Sequence, residues 1–257
     1  LTAASQIAAS GYLSTIHITA ISDLSMAGTS QLQAGYIRAT AVSMTVASGA
    51  KLDTDGRGYK EATGPGLPGT TTFQSSSSYS ATVSGGGAAY GGDGGKSCHK
   101  HSYAQGYPAG GAAYGSSTWP VEYGSGGGQA HYIATAKANT GGAGGGRVHL
   151  TIADALVVNG EITASGDDGV MYNGYSGYDA SGGGGSGGSI LIEADTIMGS
   201  GALRANGGGA TAFEGGGGSG GRIAIYVYVV VTWSESYALG WGASESCNEG
   251  DDGSIVF

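Results

Sequence analysis

The sequence predicts an all-β fold, namely a parallel β-helix (solenoid) with long glycine-rich loops and an insertion. Glycine accounts for 55 of the 257 residues, far above the roughly 7% of an average protein. Apolar residues still make up 40% of the chain, and they occur in short alternating runs, the pattern that gives a strand one inward face. Because no stretch keeps apolar residues at helical spacing for more than a turn or two, very little helix is expected.

Residues 1–56 are predicted to form the N-terminal coils of the solenoid. Segment 24–32 matches segment 44–52 at a shift of 20 residues, with apolar residues on apolar residues and small turn residues on small ones. Repeats of this length indicate units that bury their apolar faces only by stacking on their neighbours.

Residues 147–257 are predicted to form the C-terminal coils. The segments that start at 145, 187 and 220 each open with two glycines followed by an alternating strand, and 253–257 opens a further copy. Each unit is expected to contain three short strands and two turns, and to end in a glycine-rich loop. Glycine is expected at corners that need positive φ and in tracts where backbones approach closely.

Residues 57–146 differ in composition from both flanking regions. They contain all four prolines and several tyrosine-rich glycine tracts. We predict that they form a long insertion, either a lateral lobe or an interaction surface, within one continuous solenoid domain.

Several motifs together resemble a known module. Tyr114-Gly115-Ser116, Trp119-Pro120 and Tyr123 with its glycine tract are followed by Gly-Gly-Arg-Val-His-Leu and its two later copies. This combination resembles the glycine-rich β-helical repeat module of large secreted or surface proteins of microbial eukaryotes and some bacteria, over roughly residues 20–257. The resemblance implies an extracellular structural or adhesive role, and it brings no catalytic residues.

Charge and hydropathy exclude several classes of partner. The net charge is −9 with only ten lysines and arginines, so no basic stripe is available to neutralise the phosphates of a nucleic acid or of an anionic membrane. The longest apolar run, 223–233, is too short for a membrane-spanning helix. A composition rich in tyrosine, serine and glycine and poor in lysine favours an extracellular or cell-surface location. Since the chain begins at Leu1, it is either a mature product or a piece of something longer.

The two cysteines and the paired aspartates are the candidate structural sites. Cys98 and Cys247 are candidates for one long-range disulfide, with two free thiols as the alternative. Carboxylates on glycine turns are candidate calcium ligands, although the nonapeptide calcium pattern of β-rolls is absent and solvated turn carboxylates are the plain alternative. The calcium candidates are Asp167, Asp168, Asp251 and Asp252.

The sequence offers little support for catalysis, and we expect no enzyme activity and no cofactor. Gly94-Gly95-Lys96-Ser97 lacks the first glycine of a phosphate-binding loop, because position 90 is a tyrosine. A polysaccharide lyase or glycoside hydrolase built on a β-helix needs paired acids in a cleft, whereas the acidic pairs noted above fall at turns in different repeats.

Two sets of residues are candidates for contact with sugars. Exposed aromatic rings stack on sugar rings, and the candidates for glycan contact are Tyr107, Tyr114 and Tyr123. Hydroxyl-rich sequence near prolines is open to O-linked glycosylation, with a plain polar loop as the alternative. The candidate acceptors are Thr70, Thr71, Thr72, Ser75, Ser76, Ser77 and Ser78.

The expected function is that of a structural subunit of an extracellular fibre, filament or surface appendage. Its last residues, 254–257, read as a strand without a polar cap, and uncapped solenoid ends favour head-to-tail stacking. The expected partner is therefore a further copy of the chain. The alternative is a carbohydrate-binding or adhesive module whose partner is a polysaccharide, and a polysaccharide-cleaving enzyme is the third hypothesis.

Overall fold

The fold is all-β, with parallel strands arranged in two sheets. The computed structural model describes residues 6–69, 72–73, 82–98, 104–105, 107–132, 140–172, 180–210, 215–232, 235–240 and 249–257. In these ranges no segment is helical. The larger sheet has eight strands and the smaller has six, and three two-stranded antiparallel pairs lie outside them.

The described ranges contain twenty strands, which form the two sheets and the three antiparallel pairs. In chain order they are β1 (Gln6–Ala8), β2 (Thr15–Thr19), β3 (Leu24–Met26), β4 (Gln31–Gln33), β5 (Tyr36–Ala41), β6 (Met44–Val46), β7 (Lys51–Asp53), β8 (Thr72–Phe73), β9 (Thr82–Val83), β10 (Ala104–Gln105), β11 (His131–Tyr132), β12 (Arg147–Val158), β13 (Glu161–Thr163), β14 (Met171–Tyr172), β15 (Ala180–Ser181), β16 (Ser189–Met198), β17 (Ala202–Arg204), β18 (Arg222–Thr232), β19 (Glu235–Tyr237) and β20 (Ser254–Val256).

The larger sheet stacks the units in parallel and in constant register. Its main order is β2, β5, β12, β16, β18 and β20, while β3 pairs with β6 and β6 pairs with β12. The second residue of each main strand is a β-branched aliphatic residue, and these six residues form the aliphatic column: Ile16, Ile37, Val148, Ile190, Ile223 and Ile255. The predicted opening of a further copy at 253–257 is confirmed, because β20 pairs with β18.

The smaller sheet follows the same order of units, as β1, β4, β7, β13, β17 and β19. Leu32 lies opposite Leu52, and in the larger sheet Leu24 lies opposite Met44. Both pairs are 20 residues apart, so the predicted shift of the first repeat is confirmed.

Apolar side chains from both sheets form one core. In β12 the residues alternate between half-buried and fully buried along Arg147–Ile152, which is the period of two read from the sequence. Leu150 from the larger sheet and Leu52 and Ile162 from the smaller one belong to the same buried cluster, and all three are inaccessible to solvent. The core therefore lies between the two sheets.

The later units contain two strands rather than the three predicted. The first two strands of a unit are separate in β5 and β6, but they merge in β12, whose pairing with β16 is irregular between Ile152 and Ala155. The two residues at this corner, Ala153 and Asp154, are both exposed. A β-bulge bends a strand without ending it, which explains why the corner does not interrupt the strand here.

From β7 onward, a glycine-rich loop follows each strand of the smaller sheet at the same corner. Between β4 and β5 this corner is the dipeptide Ala34-Gly35. In later units a loop takes the place of this dipeptide. The main-chain N–H of the last loop residue donates to the carbonyl of the first at 2.6–2.7 Å: Gly146 to Thr54, Gly188 to Ala164, Gly221 to Ala205 and Gly253 to Ala238. The chain therefore returns to its sheet position after each loop.

The loops from different units, together with segments of 57–146, pack into what we call the glycine array. At its centre lies segment 182–188. Its main-chain N–H groups donate to three neighbouring segments, and every third residue donates to the same segment. These bonds are Gly182 to Val170, Gly183 to Gly128, Gly184 to Gly216, Gly185 to Asp167, Ser186 to Ser125, Gly187 to Ser219 and Gly188 to Ala164. A repeat of three residues is that of a polyproline II helix.

The same central segment accepts hydrogen bonds from three further segments. Gly142, Ala88 and Gly208 donate their main-chain N–H groups to the carbonyls of Gly183, Gly184 and Gly185, respectively. Segment 182–188 thus has six neighbouring segments, and each of its seven main-chain N–H groups has a partner although the segment belongs to no sheet.

Glycine is required in the array because neighbouring backbones leave no space for a side chain. A Cβ atom on Gly183 would overlap the carbonyl oxygen of Gly86, and one on Gly185 would overlap that of Ala143. The expectation that the glycine tracts allow close backbone packing is confirmed. Among the described residues, positive φ occurs at turns such as those at Gly28 (φ 62°) and Gly49 (φ 84°).

Candidate functional site

The aliphatic column is incompletely buried at both ends of the larger sheet. Ile37 and Ile223, inside the sheet, are inaccessible to solvent, whereas Ile255 in β20 is 39% exposed and Ile16 in β2 is only partly buried. Within the described part of the chain, β2 and β20 each have a neighbour on one side only. Both ends therefore present unpaired strand edges beside incompletely covered apolar side chains.

Arg222 connects the larger sheet to the glycine array. It is only 8% exposed, and its Nη2 donates to the main-chain oxygens of Tyr114 at 2.8 Å and Tyr90 at 3.2 Å. Its guanidinium also lies 5.3 Å from the centroid of the Tyr90 ring. The Tyr90 hydroxyl in turn shares a hydrogen bond of 2.7 Å with Ser189 in the neighbouring strand. This cluster fixes two segments of 57–146 against the sheet.

Arg147 makes a second connection of the same kind. Its guanidinium lies 4.3 Å from the ring centroid of Tyr36 and 5.1 Å from that of Tyr123. Arg147 and Arg222 occupy the same position in their units, the first residue of the strand. The arginines of the repeated Gly-Gly-Arg motif therefore contact the tyrosine-rich segments.

A groove on the outer face of the larger sheet combines aromatic rings with carboxylates. Trp119, which is 46% exposed, lies 6.2 Å from the His149 ring and 6.0 Å from the Tyr226 ring, measured between centroids. His149 Nε2 is hydrogen-bonded to Glu193 Oε2 at 2.9 Å. The Tyr226 hydroxyl donates to the main-chain oxygen of Thr118, so the ring is fixed in place.

The groove has a volume of about 460 Å³. Its polar and aromatic lining includes Thr151, Glu193, Asp195, Tyr226 and Tyr228. Glu193 pairs with Tyr226 across adjacent strands. Asp195 and Tyr228, each two residues further along its strand, therefore point to the same face. Tyr228 is 88% exposed. We call the groove lined by these residues the aromatic groove.

Sequence reasoning did not identify the aromatic groove. Thr151, Glu193 and Tyr226 come from three units and occupy equivalent positions in adjacent strands. The signal was present in the aligned repeats, where these residues fall at an outward position. Trp119, however, comes from the segment predicted as an insertion, and only the tertiary structure places it beside His149.

The three tyrosines predicted to contact glycans have different environments. Tyr107 is 40% exposed, and Lys96 Nζ lies 5.4 Å from its ring centroid. The Tyr114 hydroxyl donates to the main-chain oxygen of Tyr123 and shares a 2.9 Å hydrogen bond with Ser125, and burial raises the pKa of this hydroxyl. Tyr123 is half-buried beside Arg147. Tyr114 and Tyr123 thus take part in internal packing.

The four aspartates proposed as calcium ligands lie in turns and loops. Asp168 accepts a hydrogen bond of 2.6 Å from the Gly209 N–H, and Asp252 accepts one of 2.9 Å from the Gly240 N–H. The Asp251 main-chain N–H donates to the carbonyl of Asp93. Across the described ranges, no three His, Cys, Asp or Glu side chains converge where they could hold a metal ion.

Asp167 lies next to other acidic groups at the edge of the array. Burial, followed by the negative charges of Asp55 and Asp168, raises its pKa, while the Arg57 guanidinium acts in the opposite direction. Burial also raises the pKa of Asp55, although Lys51 Nζ lies 2.9 Å from its carboxylate. Ionised carboxylates are therefore held here at an electrostatic cost.

The remaining predicted sites are described only in part. Cys98 is disulfide-bonded, but Cys247 lies outside the described residues, so the pairing of the two stays a prediction. Thr72 lies in β8. The other proposed O-glycosylation positions, Thr70, Thr71, Ser75, Ser76, Ser77 and Ser78, are outside the described residues.

Over the described ranges, no helix has the length and apolar character needed to cross a membrane. Comparison with protein-family models, with curated proteins and with solved structures found no match to this chain.

Proposed function

We propose that the two sheets belong to a parallel β-solenoid, and that the chain is a structural subunit of an extracellular fibre, filament or surface appendage. The observation that carries the proposal is the aliphatic column, which is fully buried within the larger sheet but partly exposed at Ile16 and Ile255. In this proposal the chain is not an enzyme, and its partner is a second copy of itself at the cell surface or outside the cell.

The two ends are complementary in pattern. A copy placed so that β2 pairs with β20 of its neighbour sets Ile16 opposite Ile255 and continues the aliphatic column. Parallel pairing in the existing register also satisfies the free N–H and C=O groups of both edges. Because the two surfaces differ, the contact is heterologous, and contacts of this type propagate into filaments when they do not close into a ring.

The glycine array supports a mechanical role. Its segments are tied to neighbours on several sides by main-chain hydrogen bonds, and Arg147 and Arg222 connect the tyrosine-rich segments to the sheet. Because these cross-links join segments distant in the sequence, a subunit of this kind resists local opening.

Light scattering and electron microscopy of the purified chain test the proposal. We expect assembly that increases with concentration, and filaments whose axis runs along the stacking direction. Ile255→Lys places a charge at the contact and is expected to prevent assembly. Ile21→Lys is the matched control, because Ile21 is 96% exposed and lies outside the aliphatic column.

Circular dichroism establishes whether each variant keeps the β-sheet content of the parent chain. Assembly of folded Ile255→Lys at the parental concentration would contradict the proposed contact. Dispersed monomers of the parent chain at the highest attainable concentration would contradict the fibre function itself.

A further inference from the structure

The aromatic groove has the composition of a binding site, and it adjoins the edge strand β20, because Phe257 follows that strand and lines the groove. Its lining contains the rings of Tyr226, Tyr228 and Phe257 and the carboxylates of Glu193 and Asp195. Trp119 lies beside it, with its ring centroid 6.0 Å from that of Tyr226. We propose that this groove binds a polysaccharide whose sugar units carry free amino groups.

The aromatic rings account for binding of sugar rings. Tyr226 and Tyr228 are two residues apart on one strand and point to the same face, so their Cα atoms are separated by about 6.6 Å. Tyr228 is 88% exposed and Trp119 is 46% exposed, which leaves ring surface available. Flat apolar rings in an open groove stack on the C–H faces of successive sugars while the sugar hydroxyls stay in water.

The fixed positions of two rings indicate a preformed surface. The Tyr226 ring is held by the hydrogen bond from its hydroxyl to Thr118, and the same loop carries Trp119 beside it. A ligand that meets preformed rings loses less free energy to side-chain ordering.

The carboxylates account for the amino groups. Among the described residues that line the groove, Glu193 and Asp195 are acidic and none is lysine or arginine. Glu193 is partly engaged with His149 at 2.9 Å, while Asp195 is exposed. Ammonium groups of a bound sugar chain form charge-assisted hydrogen bonds with these carboxylates and also interact favourably with ring faces. Sugars that carry carboxylates are repelled, and the net charge of −9 has the same effect at longer range.

Isothermal titration calorimetry with a glucosamine hexamer at pH 6 tests the proposal. The N-acetylated hexamer, an oligogalacturonate and an oligolysine of matched charge are measured alongside it. We expect the glucosamine hexamer to bind, the N-acetylated hexamer to bind at least fivefold more weakly, and the oligogalacturonate not to bind. Tyr228→Ala and Asp195→Asn are each expected to weaken binding about tenfold.

Tyr12→Ala is the matched control, because Tyr12 is 47% exposed and lies outside the groove. Equal affinity for oligolysine, or affinity that Tyr228→Ala leaves unchanged, would overturn the proposal in favour of plain charge attraction. Equal binding of the N-acetylated hexamer, or no binding of the glucosamine hexamer, would also overturn it. Each measurement is made on the parent chain and on the Ile255→Lys background, and agreement between the two separates sugar binding from filament formation. Both are needed because Ile255 lies two residues from Phe257, which lines the groove.

Discussion

The guanidinium of Arg222 donates a hydrogen bond of 2.8 Å to the main-chain oxygen of Tyr114, a residue 108 positions earlier in the chain. Arg222 is the first residue of β18. Tyr114 lies three residues after Gly111, whose main-chain N–H donates to the carbonyl of Gly87 in the glycine array. This side chain therefore joins the two parts of the fold, the sheets and the array.

Replacing Arg222 with methionine is expected to lower the free energy of unfolding by about 3 kcal/mol, because buried carbonyls of Tyr114 and Tyr90 lose a charged donor. Urea unfolding followed by circular dichroism measures the change. Arg38→Met is the control, since Arg38 points outward from β5 and is exposed. Equal stabilities of the two variants would show that Arg222 does not hold the array to the sheet.

Replacing Gly183 with alanine is expected to destabilise the chain by about 3 kcal/mol or to prevent folding, because the new methyl group would overlap the carbonyl oxygen of Gly86. Gly69→Ala is the matched control, since the nearest atom to its Cβ would be 3.3 Å away. Thermal unfolding compares the two variants. Similar melting temperatures would contradict a close-packed array around segment 182–188.

The stability of the chain is expected to fall in alkaline solution, partly through Tyr114. Burial raises the pKa of its hydroxyl above the usual 10.0. The neutral phenol is therefore favoured in the folded state, and its contribution is complete below pH 10 and lost as the pH rises through the folded-state pKa. Tyr114→Phe should be less stable than the parent at pH 8 but lose less stability between pH 9 and 12. Parallel stability curves would contradict this assignment.

Asp167→Asn is expected to raise the melting temperature at pH 7. The pKa of Asp167 is raised, so the folded state favours its protonated form, and this contribution is lost as the pH rises through the folded-state pKa. The gain should therefore disappear below pH 3.8, where the carboxyl is protonated even in the unfolded chain. Asp154→Asn is the control and should give no gain, because Asp154 is exposed at the corner of β12. Equal gains at pH 7 and pH 3 would contradict an electrostatic origin.

The strand registers were predictable from particular residues. The match of Leu24 with Met44 and the repeated openings at Arg147, Ser189 and Arg222 both correspond to strand pairings. Those matches were readable because a buried strand face requires apolar residues at every second position, which leaves a periodic signal. The division into three strands per unit was less accurate, since a bulge near Ile152 merges two of them.

The candidate sites were less predictable. Tyr114 and Tyr123 were chosen as glycan contacts for their residue type alone. In the structure Tyr114 is hydrogen-bonded to the main chain of Tyr123, and Tyr123 is half-buried beside Arg147. Trp119 and Glu193, by contrast, both lie against His149 although they are 74 positions apart in the sequence. Residue type identifies groups that can bind a sugar, whereas access to solvent depends on which segments cover the sheet.

The sequence by itself determined that this chain forms strands, which residues face the core and which repeats align, because apolar periodicity encodes these properties locally. Only the tertiary structure decided that segment 182–188 is surrounded by six others and that Arg222 joins the array to the sheet. The physical reason is that glycine has no side chain to specify a partner. Its neighbours are selected by backbone hydrogen bonds, which every residue except proline can donate and every residue can accept.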